Sequence, residues 1–187
     1  MEIILAPSPV LSQKAKPVEK IDSSVLKAID GMKKKLSSAK DPIGVGLAAP
    51  QIGKSLEIFI VRPSPKIKTL VFINPKIVRS DETRVMNGTK KPITHNPKHK
   101  TKLEGCLSLK DIWGTVLRSP TVRLSYLDEQ GKKHTRTFKG LLATIAQHEI
   151  DHLDGILFTK RVLEQKGKLY ESHKDKKGED VFEEIKM

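Results

Sequence analysis

Apolar residues recur along the chain with two periods, and each period predicts a different kind of element. Val25, Ile29, Met32 and Leu36 stand four, three and four positions apart. They form one stripe of a helix running from a cap at Asp22 or Ser23 to about Ala39, with Lys33, Lys34 and Lys35 largely outside the stripe. Residues 57–61 and 69–73 are short runs of β-branched and aromatic residues and read as strands separated by a Pro-Ser-Pro loop. Ile77 and Val78 continue the second strand or begin another. Residues 121–127 alternate as a half-buried strand does, and Glu129-Gln130-Gly131-Lys132 turns the chain back into 134–138, giving a hairpin. After Gly140, a proline-free run of good helix formers opens a second helix, which Gly155 ends in the left-handed position. Ile156-Leu157-Phe158 closes a core edge. Residues 168–172 and 179–185, joined by 175–178, suggest a terminal hairpin.

The remaining stretches are irregular. Residues 1–21 are broken by Pro7, Pro9 and Pro17, and 84–102 is a long polar run read as a surface loop or loose hairpin. His95 and His99 lie four apart within it, but Pro97 between them breaks any helix. There are no internal repeats. At 187 residues, one domain spanning 1–187 is expected, with 160–187 as a polar C-terminal extension. Hydrophobic residues make up 37% and charged residues 30%, a soluble globular composition. No apolar run approaches the roughly 18 residues of a membrane helix. The N-terminus has no basic region ahead of an apolar one, so a cytoplasmic location is expected.

The formal net charge is +13 and unevenly placed. Residues 62–102 hold eleven Lys or Arg against Asp81 and Glu82, a local +9, whereas 160–187 hold eight basic and seven acidic groups. The basic stretch would attract polyanions. Solvated surface is the plain alternative, and its Pro and Gly content argues for a loop over a nucleic-acid-reading helix.

Chemistry concentrates in residues 147–155, Gln-His-Glu-Ile-Asp-His-Leu-Asp-Gly. On a helix, His148 and His152 project from one face and can hold one metal ion, with the Glu149 carboxylate placed as general base toward a water beside it. Leu141 and Ile145 share that face and should wall the adjoining pocket. A catalytic site of this kind needs a third protein ligand. The longer metzincin pattern would put a His at position 158, which is Phe158. Glu164 and Glu171 stand downstream, as in thermolysin-like zincins, but no convincing amphipathic helix carries them. Cys106, the only cysteine, is the remaining candidate, and a thiolate with two imidazoles suits a borderline divalent ion. Upstream, residues 44–53 (Gly-Val-Gly-Leu-Ala-Ala-Pro-Gln-Ile-Gly) lack the third glycine of a dinucleotide fingerprint. Their small residues would let backbone pass close to a ligand, and Gln51 stands out as polar among them.

Residues 44–53, 104–108 (Glu-Gly-Cys-Leu-Ser) and 147–155 together closely resemble the three motifs of peptide deformylases, in order, and the likeness covers roughly residues 4–158. The resemblance implies an α+β fold with antiparallel sheets packed around a central metal-binding helix, the N-terminal amphipathic helix beside them. It implies a hydrolase that removes the N-formyl group from the N-terminal methionine of nascent polypeptides and releases formate. Cys106, His148 and His152 would bind the metal and Glu149 would be the acid/base. Gln51 and the backbone N–H of Leu107 would complete the oxyanion site. Fe²⁺ is the implied metal, with Zn²⁺, Ni²⁺ or Co²⁺ as other occupants, and a formylating bacterial cytoplasm is the implied setting, an organelle form being the other source. Gly46 and Gly105 leave room for a one-carbon formyl group, and Val45, Leu141 and Ile145 are candidates for the methionine slot. Glu104 and Arg118 match an ion pair bracing the Cys106 segment. Asp151 either orients a neighbour, caps, or faces solvent.

The chain also departs from the family pattern. Leu109 is followed by Lys110 where proline is frequent, and Trp113 stands where compact members often have arginine, so the outer peptide contacts are expected to differ. The 76–102 stretch is longer than in compact members, and no long C-terminal helix for ribosome docking is evident. The basic 62–102 segment is the candidate for a ribosome contact instead. Nothing points to a membrane or to sequence-specific nucleic acid. Two other readings are a broader metallopeptidase and a basic ribosome- or RNA-binding homologue with a vestigial metal site. The intact set of Cys106, His148, Glu149, His152 and Gln51 argues against the latter.

Overall fold

The structure, a computed structural model, describes residues 2–39, 44–80, 102–175 and 177–186. The first helix, α1 (Ser23–Ser38), forms where the apolar stripe predicts it. The Asp22 carboxylate accepts hydrogen bonds from the backbone N–H groups of Ser24 and Val25 at 2.9 and 3.0 Å, satisfying two donors that a helix start leaves unpaired. Val25, Ile29, Met32 and Leu36 are all buried.

Two antiparallel sheets follow. The larger runs β1 (Gly46–Ala48), β2 (Ile58–Val61), β3 (Leu70–Ser80), β6 (Thr121–Leu127) and β7 (Lys133–Lys139) in that spatial order. The smaller runs β4 (Lys102–Cys106), β5 (Leu109–Val116), β8 (Leu169–Lys174) and β9 (Asp180–Glu184). The second helix, α2 (Leu141–Leu153), packs on one face of the larger sheet, against Phe59, Val61, Phe72, Val122, Leu124 and Phe138. Helix α1 covers the other face through Ile58, Ile60, Val71 and Ile73. Covered on both sides, β2 has all four residues buried and reads as a continuous apolar run. Strand β6 alternates because only its inward residues Val122, Leu124 and Tyr126 reach the α2 core. The Phe59 and Phe72 rings stack with centroids 4.4 Å apart, and Tyr126 meets Phe72 tilted at 4.5 Å. This α+β arrangement, with α2 held between sheet and site, is the one the resemblance implies.

Strand β3 runs unbroken through Pro75, so Ile77 and Val78 continue it. A register shift between Ile73 and Lys76 accommodates the proline, which has no ladder donor. The preceding Asn74 adopts φ 49° and is held there by its side chain, which exchanges two 2.8 Å bonds with the backbone of Val18. The β4–β5 hairpin had no counterpart in the sequence reading. Its Leu109–Val116 arm mixes Lys110, Asp111 and Gly114 among apolar residues and shows no clean alternation. Residues 156–158 are more than a core edge. Phe158 is buried, but it also opens a third helix, α3 (Phe158–Glu164), whose two buried residues, Phe158 and Val162, are too few to declare a stripe. Gly155 adopts φ 71°, and a Cβ there would sit within 2.8 Å of Ser12 and Gln13 backbone, so conformation and space both require glycine. The expected 84–102 loop, with His95 and His99, lies outside the described residues apart from Lys102.

A candidate metal centre beside a strand-edged cavity

Helix α2 places His148 and His152 one turn apart, with ring centroids 5.0 Å from each other. Cys106, the last residue of β4, brings its sulfur to 3.2 Å from His152 Nε2. One ligand atom from each of Cys106, His148 and His152 lies within 4.8 Å of the others, the set that can hold a metal ion among the described residues. Of the other third-ligand candidates, Glu164 pairs with Arg161 at 3.0 Å, and Glu171 faces a different cleft on β8. A seven-residue helix does carry Glu164, but it does not deliver it to the histidines. Phe158 stacks near the His148 ring, 6.0 Å between centroids, as packing.

The surroundings fit a cation. Glu149 is 4% exposed, and its Oε2 is buried without a hydrogen-bond partner, as is His152 Nδ1. A carboxylate oxygen stranded beside a Cys–His–His cluster is satisfied once the cluster holds an ion with water in its open position. His148 Nδ1 lies 3.1 Å from Glu104 Oε2, which fixes the ring and leaves Nε2 for a ligand. Burial pushes the Glu149 carboxyl up to about 7. Burial and the nearby positive charges of His148 and Arg118 hold His152 well below the usual histidine range, so its ring is neutral and able to ligate. On His148, burial acts downward but hydrogen bonds to Cys106 and Glu104 outweigh it and hold the ring well above that range, so a cation taken up here must displace the proton on Nε2.

Gln51 is 2% exposed and approaches from a 3₁₀ turn, Ala49–Ile52, directly after β1. Its Oε1 accepts from the Ala48 backbone N–H at 2.8 Å, which orients Nε2 toward Ser108 Oγ at 3.2 Å and Cys106 Sγ at 3.5 Å. Ser108, which sequence reasoning passed over, is 1% exposed, and its backbone N–H also donates to Cys106 Sγ at 3.4 Å. Its place in the Glu-Gly-Cys-Leu-Ser segment was the available signal.

A cavity of about 200 Å³ opens from this cluster. Val45, Gly46, Gly105, Leu141 and Ile145 line it, together with Leu103, Leu107, Trp113 and Thr144. Gly46 matters sterically, since a Cβ there would overlap the Glu149 carboxylate and lie 2.8 Å from Ile145 Cγ2. Among the described residues, strands β1 and β4 each form the end of their sheet, and both border the cavity. Two strand edges therefore face the same opening.

A buried charge network supports the cluster from behind. Arg118 grips Glu104 with two bonds of 2.9 and 3.0 Å and reaches Asp151 at 2.5 Å. Asp151 is in turn held by Arg161 Nη2 at 2.8 Å. Of the three roles left open for Asp151, orienting a neighbour is the one its buried position and arginine partners match. Arg161 was missed because nothing in a short helix marks one arginine as inward-facing. Burial alone would raise the Glu104 carboxyl, but hydrogen bonds from His148 and Arg118 and the Arg118 charge pull it down to about 2. Among the described residues, no helix is long and apolar enough to cross a membrane.

Comparison with known proteins agrees with this geometry. Residues 1–168 match the polypeptide deformylase family. The peptide deformylase of Mesorhizobium japonicum is 39% identical over 163 residues, covering 86% of this chain and 82% of that protein. That of Rhizobium meliloti is 40% identical over 159 residues, covering 83% and 81%. Among solved structures, the Synechococcus elongatus peptide deformylase in complex with actinonin superposes with a TM-score of 0.71 at 35% identity, covering 86% of this chain and 78% of that one. By sequence along most of its length and by fold, the chain belongs to the polypeptide deformylase family.

Proposed function

We propose that residues 1–187 act as one catalytic domain that hydrolyses the N-formyl group of formylmethionyl peptides, with Cys106, His148 and His152 holding one divalent cation. The observation that carries this reading is the convergence of three segments far apart in sequence. Gln51, Cys106 and the His148–His152 turn meet at a buried cluster that opens into one cavity. When bound, the cation supplies a Lewis acid that acidifies a water and polarises the formyl oxygen. Glu149 takes the water's proton at the oxygen left unpaired in the apolar surroundings of Ile145, then passes it to the departing amine. Burial, which favours the protonated carboxyl, helps Glu149 take up the proton it later passes on. Negative charge builds on the former carbonyl oxygen, where Gln51 Nε2 and the Leu107 backbone N–H are assigned as donors. Such donors are typically worth about 2.7–4 kcal/mol each.

The substrate reading is supported by the two facing strand edges. An extended peptide can add its backbone hydrogen bonds to Gly44–Gly46 on one side and to β4 on the other, with the methionine side chain among Val45, Leu141 and Ile145. Fe²⁺ is assigned as the native ion on the strength of the Cys–His–His donor set and the family likeness, and a ferrous thiolate site would be oxygen-sensitive. We assign the bacterial cytoplasm as the setting. The basic 62–102 segment is assigned a ribosome contact, supported by its local +9, and neutralising four of its lysines should weaken ribosome co-sedimentation at low salt.

Incubation with formyl-Met-Ala-Ser distinguishes this reaction from general peptidase action. Formate and free Met-Ala-Ser should appear in equal amounts with the Met–Ala bond intact. Cleavage between methionine and alanine without formate would replace the deformylase reading by that of a broader metallopeptidase.

A further inference from the structure

Trp113 is the only tryptophan in the chain and stands directly opposite Gly105 in the β4–β5 hairpin. A Cβ on Gly105 would lie 2.8 to 3.1 Å from three carbons of the indole six-membered ring, so the ring lies across the glycine. The ring is fixed from its far side by strands that follow the region matched to the family, which ends at residue 168. Trp113 Nε1 donates to Ser172 Oγ on β8 at 3.0 Å, while the Ser172 hydroxyl donates onward to the Asp111 carbonyl at 3.4 Å. Phe182 on β9 meets the indole edge-on, with ring centroids 5.6 Å apart and planes at 83°. Strand β8 itself pairs with β5 at this point, Trp113 opposite Tyr170.

The indole is also a partition. One side lines the cavity of about 200 Å³ that leads to Glu149 and His148. It also borders a second, more polar cleft of about 460 Å³ lined by Lys110, Glu171, Ser172, His173 and Asp180. Where the indole stands therefore decides where the catalytic cavity ends, and Leu103 and Leu141, both substantially exposed, complete an apolar rim around the same opening.

We propose that the C-terminal hairpin β8–β9, through Ser172 and Phe182, is the positioning element for Trp113 and thereby sets how the enzyme discriminates among residues that follow the formylmethionine. This rests on the deformylase reading. A flat indole held against an apolar rim favours an apolar side chain at that position over none. Loosening the hairpin contacts lets the ring swing toward the polar cleft and removes the preference. Neither Ser172 nor Phe182 lines the cavity at Glu149, so they act through Trp113.

The test compares kcat/KM for formyl-Met-Phe-Ser and formyl-Met-Gly-Ser in metal-loaded wild type, Ser172→Ala, Ser172→Thr and Phe182→Ala. The Phe-over-Gly ratio should fall at least fivefold in both alanine variants, a size typical of one lost hydrogen bond or aromatic contact. The loss should sit in KM, with kcat for the glycine peptide unchanged, and Ser172→Thr, which keeps the hydroxyl, should restore the ratio. Emission of the single tryptophan gives a readout independent of turnover. It should shift when Met-Phe-Ser binds wild type, and should start red-shifted in both alanine variants. A ratio within twofold of wild type in both alanine variants, or Trp113 emission unmoved by Met-Phe-Ser, overturns the proposal while leaving the reaction intact. Absence of formate from wild type would instead overturn the reaction.

Discussion

Gly46→Ala is a one-carbon change that should silence the enzyme without touching a ligand. A Cβ at this position would lie 2.8 Å from Ile145 Cγ2 and 2.9 Å from Glu149 Cδ, and closer still to Glu149 Oε1. Carbon atoms rest at about 3.5–4.0 Å, so the deficit is roughly 0.6–1.2 Å on each side. The side chains cannot both retreat, since Ile145 is 5% and Glu149 4% exposed, and Ile145 belongs to the core behind α2. Displacement therefore falls on the carboxylate. Misplacing a reacting group by about 1 Å costs on the order of 10²-fold, or about 2.7 kcal/mol of barrier. Overpacking should also cost about 1–3 kcal/mol of stability, short of unfolding a domain of this size. The assay is kcat for formyl-Met-Ala-Ser in parallel with metal content and urea unfolding. A metal-replete, folded Gly46→Ala enzyme within threefold of wild-type kcat would show that Glu149 does not act from the position the structure gives it.

Three further outcomes follow from the charge network and the assigned ligands. Arg118→Met leaves the Glu104 and Asp151 carboxylates buried without their shared partner and should cost about 3–5 kcal/mol, read as a lower urea midpoint; a loss under 1 kcal/mol would contradict the network's role. Glu104 also predicts a pH dependence: its folded carboxyl, at about 2, lies below the ordinary 4.5, so its stabilisation is present above about 4.5 and is lost as pH falls toward 2. Urea unfolding between pH 5 and 3 should show that decline in wild type and a flatter profile in Glu104→Gln. Cys106→Ser should lose most of its bound metal, and activity with it, at a chelator excess that leaves wild type loaded, and retention of both at wild-type levels would remove the thiolate from the ligand set.

How much of this was legible beforehand depended on whether the signal was local. The α1 stripe from Val25 to Leu36 and the His148–His152 turn each lie within one helix, where period and spacing suffice. Four strands of the larger sheet were legible, since burial on both faces makes β2 uniformly apolar and burial on one face makes β6 alternate, whereas β1, three small residues in a glycine-rich stretch, was not. The β4–β5 hairpin escaped because its turn is two residues and its outer arm is half exposed. Helix α3 escaped because two buried side chains are no period. Arg161 and Ser108 were invisible for another reason. Each gains its role from a residue elsewhere in the chain, Asp151 ten positions away and Gln51 fifty-seven, and no spacing rule joins them. Trp113 was noticed as an oddity, but its partners Ser172 and Phe182 lay in a hairpin with no pattern tying it to the site.

The central claim is that Glu149 moves the proton at a Cys106–His148–His152 metal site. It is tested most directly by measuring formate released from formyl-Met-Ala-Ser by anaerobically purified wild type and Glu149→Ala, with metal content determined on the same samples. Formate from wild type, its loss in the variant, and one metal ion retained in both is the result this account predicts. Undiminished release by a metal-loaded Glu149→Ala enzyme would contradict it.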